Sequence, residues 1–242
     1  MLRIILLISF LISCSDDFKD KKIYQLSILR KLLSSNSSRS NITTAPTPSP
    51  TPDPSLNYKY LFITTTTHNG NFDNDATLAV NGAVNADGNG ISEIDQFCRL
   101  DKTNNFSTLP GDASEYKALI VDDTNRRACS TTNCSGGSSE HLDWVLKAGT
   151  DYYSQSKVKI FTTNSSAGIV NTIDQILDSA GNEYWTGLSV DFRSNVTKCI
   201  NWNTNSALQN SRKGISNSTS LNFFSNLTAN CNSTLRILCV RQ

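Results

Sequence analysis

Apolar positions along the chain fall into three regimes. From Ile4 to Ile12 every residue but Ser9 is apolar, and the run opens after Arg3 and ends at Ser13-Cys14. A membrane-crossing helix needs about 20 such residues, so this run is too short to span. Between Phe18 and Leu33 the apolar residues thin to Ile23, Leu26, Leu29 and Leu33, a spacing that predicts a short amphipathic helix. Five of the chain's six prolines then alternate through Ala45–Pro54. Alternating proline forbids helix and favours extended, solvated backbone, so 34–57 is expected to be a semi-rigid spacer within a tether that covers residues 14–57. From residue 58 onward short apolar runs stand between long polar connections. Tyr60-Leu61-Phe62-Ile63, Tyr116 to Val121, Glu183-Tyr184-Trp185 and Leu235 to Val240 predict strands, and Cys199-Ile200-Asn201-Trp202 is read with them. Ile91, Ile94, Phe97 and Cys98 share helical spacing behind Ser92-Glu93-Ile94-Asp95, which has the spacing of a capping box. Cys98 is therefore expected on the core face of a short helix. Leu142-Asp143-Trp144-Val145-Leu146 is a further apolar knot. Residues 58–242 suffice for one core, and the expected class is α+β with short strands dominant.

The first regime has the layout of a secretory signal peptide over residues 1–13: a basic start, a short apolar stretch and small residues at the cleavage point. Leu11-Ile12-Ser13-Cys14 resembles the bacterial lipobox, which implies an acyl chain such as palmitate on the Cys14 thiol. The bland alternative is a cleaved soluble signal with an incidental Cys; the position of Cys14 at the cleavage point favours the lipid. Acyl chains would attach the mature protein to a membrane without spanning it. Setting Cys14 aside, the seven Cys leave an even set: Cys98, Cys129, Cys134, Cys199, Cys231 and Cys239. Exported compartments are oxidising, so this set is expected to pair, although sequence alone leaves the connectivity open. Zinc is disfavoured, because no Cys-x-x-Cys occurs and His68 and His141 are the only histidines. With 22 basic residues against 21 acidic ones, nothing steers the chain towards nucleic acid.

The order of pieces resembles the C-type-lectin-like fold: a helix carrying the first domain Cys, Trp185-Thr186-Gly187-Leu188, Cys199-Ile200-Asn201-Trp202, and a terminal Leu238-Cys239-Val240 strand. More narrowly, the chain looks like a family of leptospiral outer-membrane lipoproteins with a C-terminal domain of unknown function. The residues carrying that likeness are Gly90 to Cys98, Tyr116-Lys117-Ala118-Leu119, Asp143-Trp144-Val145-Leu146 and Trp185 to Leu188. The resemblance implies a C-type-lectin-like domain over residues 58–242, with Cys98 joined to Cys239, Cys199 to Cys231, and Cys129 and Cys134 stapling their own loop. It also implies an adhesin-like role at the bacterial outer membrane, displayed at the cell surface, with a host extracellular-matrix or plasma protein or a glycan as partner. Long loops, such as 103–115 and 190–221, would meet that partner. The rival is a structural envelope lipoprotein facing the periplasm. The calcium-dependent sugar site of such lectins is missing its Glu-Pro-Asn or Gln-Pro-Asp loop, and Trp202-Asn203-Thr204 replaces its Trp-Asn-Asp.

Candidate chemistry is sparse. Asn85, Asp87, Asn89 and Glu93 place oxygen side chains around Gly88 and Gly90 in a calcium-loop manner. Gln96 stands where the closing bidentate Glu belongs, so plain turns are the favoured reading. His141 and Asp143, two residues apart, do not meet in adjacent turns of a helix and are not read as a dyad. His68 and His141 are each read as a surface or hydrogen-bonded residue, and no nucleophile elbow or phosphate loop appears. No enzyme and no cofactor beyond the covalent lipid are expected. Trp144, Trp185 and Trp202 are assigned to the core. Arg126-Arg127, Lys198, Arg212-Lys213 and Arg236 could line a basic patch, but their scatter favours solvated surface.

Overall fold

Strand β1 (Lys59–Ile63) is apolar at all but its first position because both of its faces are buried. Leu61 and Ile63 join one core with Leu238 and Val240, while Tyr60 and Phe62 join a second core with Ile237 and Cys239. The sheet thus runs between two packed layers. These observations come from a computed structural model that describes residues 53–75 and 88–242. The signal peptide, Cys14, the helix expected at 18–33 and the tether up to residue 52 lie outside the described residues. Tyr60 reaches back from β1 to donate its hydroxyl to the Ser55 carbonyl (3.0 Å), in a 3-10 turn, Pro54–Asn57, capped by Asp53.

Among the described residues the remaining strands are β2 (Tyr116–Ala118), β3 (Asp151–Tyr153), β4 (Lys159–Thr162), β5 (Glu183–Trp185), β6 (Asn210–Ile215), β7 (Thr228–Asn230) and β8 (Arg236–Arg241). They form one sheet in the order β4-β3-β1-β8-β5-β6-β7, with β2 also on β8. β8 is the hub. It pairs antiparallel with β1 and with β2, and parallel with β5. The pairs β1–β3 and β5–β8 are parallel; the rest are antiparallel. The domain is therefore mixed α+β with strands dominant.

The helix, α1 (Gly90–Asn104), buries Ile91, Ile94, Phe97 and Cys98 in the second core. The capping box read at Ser92 does not form. Asn89 is the residue before the helix, and the Ser92 hydroxyl donates to the Asn89 carbonyl and to Glu93 instead. The reason is tertiary: Asp95, the would-be reciprocal acceptor, is drawn into the core. Its Oδ1 accepts the Ala118 amide (2.9 Å), and both of its oxygens accept from the Arg126 guanidinium (2.9 and 2.8 Å).

Arg126 is completely buried, contrary to its reading as solvated surface. Asp122 sets up the turn that delivers it: Oδ1 accepts the amides of Thr124, Asn125 and Arg126. The guanidinium then also donates to the Ala118 carbonyl (2.8 Å) and, through Nε and Nη2, to Asp143. Burial disfavours the charge on Arg126, but the Asp95 and Asp143 carboxylates outweigh it and hold the group protonated above its ordinary range. Lys117 shares Asp143 at 2.6 Å.

A second correction concerns Cys199–Trp202, read from sequence as a strand. It is a single left-handed turn, α2, with φ of 48°, 52°, 54° and 65°. The Trp202 amide donates to the Lys198 carbonyl (2.8 Å) and the Asn203 amide to Cys199 (3.0 Å). L-residues resist this hand by about 1–2 kcal/mol each. The turn persists because both of its ends are fastened, Cys199 by a disulfide to Cys231 and Trp202 by burial.

The other disulfides are Cys98–Cys239 and Cys129–Cys134, so the three pairs match those implied by the lectin-like resemblance. Cys98–Cys239 closes 141 residues and ties α1 to β8. On the chain-entropy model such a closure contributes about 4–5 kcal/mol.

Substituting Arg126→Leu leaves Asp95 buried without its cation. Chemical denaturation is expected to show a loss of about 3–5 kcal/mol. The double substitution Asp95→Leu with Arg126→Leu is expected to recover part of that loss. A single-variant loss below about 1 kcal/mol would contradict the central role given to this pair.

Candidate binding face

Large apolar side chains more than half exposed occur in one stretch only among the described residues. They are Val190 (57%), Val196 (94%), Ile200 (63%), Leu208 (91%) and Leu227 (62%). The stretch is not the single long loop expected over 190–221, because β6 crosses it, pairing with β5 and β7. What remains is a set of short, tightly held turns.

The first turn begins at Gly187, whose φ of +68° and approach to the Val121 carbonyl leave no room for a Cβ (2.7 Å). The Ser189 amide then donates to the Arg193 carbonyl and the Phe192 amide to Ser189. Phe192 turns inward against Phe224, and Val190 is left at the tip. A neighbouring loop supports this one: the Asn133 amide donates to the Asp191 carbonyl (2.9 Å), and Cys129 bridges Arg193. That neighbour is organised by Glu140. Its carboxylate accepts from the amides of Ser130, Thr131 and Gly136 and from the hydroxyls of Ser130 and Thr131, at 2.6–3.0 Å. The Thr131 hydroxyl leads these donors in holding Glu140 ionised, lowering its pKa to about 2.

The second turn is α2. The Trp202 indole donates to the Val121 carbonyl (2.9 Å) and packs on Phe72 and Trp185. Ile200, between the two anchors, is held outward. Leu208 is tied to the same point, since the Gln209 carbonyl accepts the Cys231 amide (2.9 Å). Gly70 closes the knot from behind: its amide donates to Cys231, and a Cβ there would lie 2.4 Å from the Cys199 sulfur. Two solvent-facing apolar side chains, Ile200 and Leu208, thus flank one rigid disulfide.

Two clefts border the segment that leaves β1. One, of about 410 Å³, lies along residues 62–65 beside Ser154, Leu177, Asp178, Asn182 and Arg236. The other, of about 320 Å³, contains Thr66, His68, Phe97 and Asp101. Here His68 is buried, with Nε2 3.0 Å from the Thr66 hydroxyl, Nδ1 3.0 Å from Asp75, and its ring 3.6 Å from that of Phe97. Hydroxyl, imidazole and carboxylate in line is the connectivity of an activated nucleophile. The same contacts fasten the loop, because the His68 carbonyl also accepts from the Trp185 indole (2.9 Å) and from the Leu235 amide.

The other residues singled out from sequence separate. Asn85 and Asp87 lie outside the described residues, while Asn89 sits at the α1 start and Glu93 is buried accepting from Ser92. No cluster of three or more His, Cys, Asp or Glu side chains able to hold a metal occurs among the described residues. His141 stands 3.9 Å from the Cys134 sulfur, its pKa lowered by burial, while Asp143 turns to Arg126 and Lys117. Trp144, Trp185 and Trp202 are core residues, and each indole N–H finds a carbonyl. Of the basic residues, Arg127 pairs with Asp123 and Lys213 with Glu183. The Asp95–Arg126–Asp143 network carried no sequence signal, since its members lie 31 and 17 residues from Arg126.

A family model described as "Protein of unknown function (DUF1554)" matches residues 77–219, more than half of the 242-residue chain. No curated protein matches the chain.

Glu140 has a folded pKa below its ordinary value of 4.5, so its contribution is complete above pH 4.5 and is lost as pH falls towards 2. Amide NMR resonances of Ser130, Thr131 and Gly136 are expected to titrate together with a midpoint of about 2, with Asp191 following. Glu140→Gln should abolish the transition; a midpoint at the ordinary carboxylate value would refute the buttress.

Proposed function

The chain belongs to the DUF1554 family of proteins of unknown function, and from that premise we propose that it is a lipid-anchored surface module with a non-enzymatic, adhesin-like binding role. The observation that carries this reading is the gathering of the most exposed apolar side chains, Val190, Val196, Ile200, Leu208 and Leu227, in one stretch of a polar domain. Exposed apolar groups in soluble proteins are ordinary when scattered, and their concentration is a feature of interaction surfaces. Val190, Ile200 and Leu208 stand on turns held by a disulfide, a buried tryptophan and glycine contacts, so little freedom is lost on docking. The partner class is an extracellular-matrix or plasma protein, whose own apolar patches such side chains suit.

The domain is further proposed to have the C-type-lectin-like fold. In support, α1 is tied to the terminal strand by Cys98–Cys239, β1 and β8 bring the two ends of the domain together, and Cys199–Cys231 braces the long excursion between β5 and β8. Cys14 would carry the acyl anchor at the outer membrane, with the Pro-rich stretch 45–54 as a spacer towards the partner. The resemblance of the chain's motifs to those of leptospiral outer-membrane lipoproteins supports that display arrangement. The polar environments of His68 and His141 then serve structure rather than turnover.

Two experiments check the proposal. Immobilised matrix and plasma proteins should bind the full-length chain saturably. Combining Ile200→Asn, which suits a left-handed position, with Leu208→Ser should weaken that binding about tenfold or more at unchanged Tm. Absence of saturable binding, or binding indifferent to both substitutions, would defeat the binding role. In the producing cell, Cys14→Ser should move the protein from the detergent phase to the aqueous phase, and protease on intact cells should trim the anchored wild type. Survival of the domain under protease would instead support a periplasm-facing envelope lipoprotein.

A further inference from the structure

We propose that the cleft beside Arg236 binds a saccharide unit that carries a carboxylate. The cleft holds about 410 Å³, within the ~300–1,000 Å³ typical of small-molecule sites. Arg236, the first residue of β8, is half-buried on its wall. Its Nη1 donates to the carbonyls of Thr64 and Thr65 (2.5 and 2.6 Å), and its Nε donates to the Asn182 side-chain oxygen (3.1 Å). All three acceptors are neutral. By contrast Arg126, Arg193 and Arg241 each meet a carboxylate. Among the described residues no carboxylate pairs with Arg236, and its Nη2 donates to none of them. The guanidinium is therefore fixed in place with its charge uncompensated and one edge unused, a preorganised seat for a carboxylate.

The other charged group on the wall does not cancel this. Asp178 spends Oδ1 on the Ala180 amide (2.9 Å) and the Ser216 hydroxyl (2.8 Å), and Oδ2 on the Asn182 side-chain amide (3.2 Å). That last bond orients Asn182 so that its oxygen faces Arg236. The rest of the lining suits a sugar. Gln155 and Ser156 are exposed at the rim, and their side chains make no hydrogen bond to described residues. They can exchange hydrogen bonds with ring hydroxyls, while Leu177 and Ala180 offer an apolar wall to the C–H face. The cleft shares no residue with the exposed apolar set of 190–227, so this site and the protein-binding face stand or fall separately.

Titration calorimetry or saturation-transfer NMR on the full-length chain tests the site with N-acetylneuraminic acid and glucuronic acid as probes. At least one should bind saturably, and its methyl ester and acetate should each bind about tenfold more weakly or less, since hydrogen bonds to a charged group and contacts to the ring are lost in turn. Arg236→Lys should weaken the acid sugar by a similar factor. Because Arg236 also holds the β1 exit, Ala180→Trp gives the independent check: it fills the cleft from an exposed position and should abolish binding at unchanged Tm. No binding by either acid, equal binding of ester or acetate, or binding that survives Ala180→Trp overturns the proposal. Sugar binding is expected to stay unchanged in the Ile200 and Leu208 variants, so a failure of the apolar face and a failure of the cleft are read separately.

Discussion

One fully buried cation, Arg126, organises this domain. Arg126 has no exposed surface, yet it meets two carboxylates and a backbone carbonyl that come from different parts of the chain. Asp95 brings α1, Ala118 brings β2, and Asp143 brings the apolar knot that ends in Trp144-Val145-Leu146. A charge taken out of water is costly, and only this number of well-placed partners offsets it. The pairing therefore demands that helix, strand and knot be in place together, which couples the two cores on either side of the sheet. Its energy matters less than its geometry, because a planar fork accepts few alternative arrangements.

Around that cation the fold is held by its last strand. β8 lies between β1 on one side and β2 with β5 on the other, and it carries one end of the Cys98–Cys239 bond. The chain's final residues thus complete both cores, so contacts of large sequence separation dominate. The long excursion from β5 to β8 has less regular structure to rely on. It is fastened by Cys199–Cys231, by Gly70 packed on that disulfide, and by Glu140 gathering five donors under the Asp191 turn. Rigid turns of this kind can present Val190, Ile200 and Leu208 to solvent without collapsing onto them.

The two surfaces proposed for recognition arise from the same economy. On the 190–227 stretch, anchors at both ends of a short turn force the middle residue outward. In the Arg236 cleft, carbonyls freed where β1 ends take up a guanidinium and leave its charge unspent. In each case the fold satisfies its own backbone first, and what is left over becomes the feature available to a partner. His68 shows the opposite outcome, since both of its ring nitrogens and its carbonyl are consumed in holding the loop after β1.

Strands β1, β5 and β8, the core face of α1 with Cys98, and the burial of the three tryptophans were legible in the sequence, because each rests on local periodicity or on an apolar run that has nowhere else to go. The even set of domain cysteines was legible too, although their partners came from a resemblance. The left-handed turn at Cys199–Trp202 was not, because Ile200 and Trp202 favour strand locally and only the disulfide and the indole contact overrule them. Nor was the capping box refused at Ser92, or the burial of Arg126, since the pairing of Asp95 with a guanidinium 31 residues away decides both. Local preference is written in neighbouring residues and can be read there. Where a charge goes, and which apolar side chains are left outside, depends on groups that become neighbours only when the chain has folded.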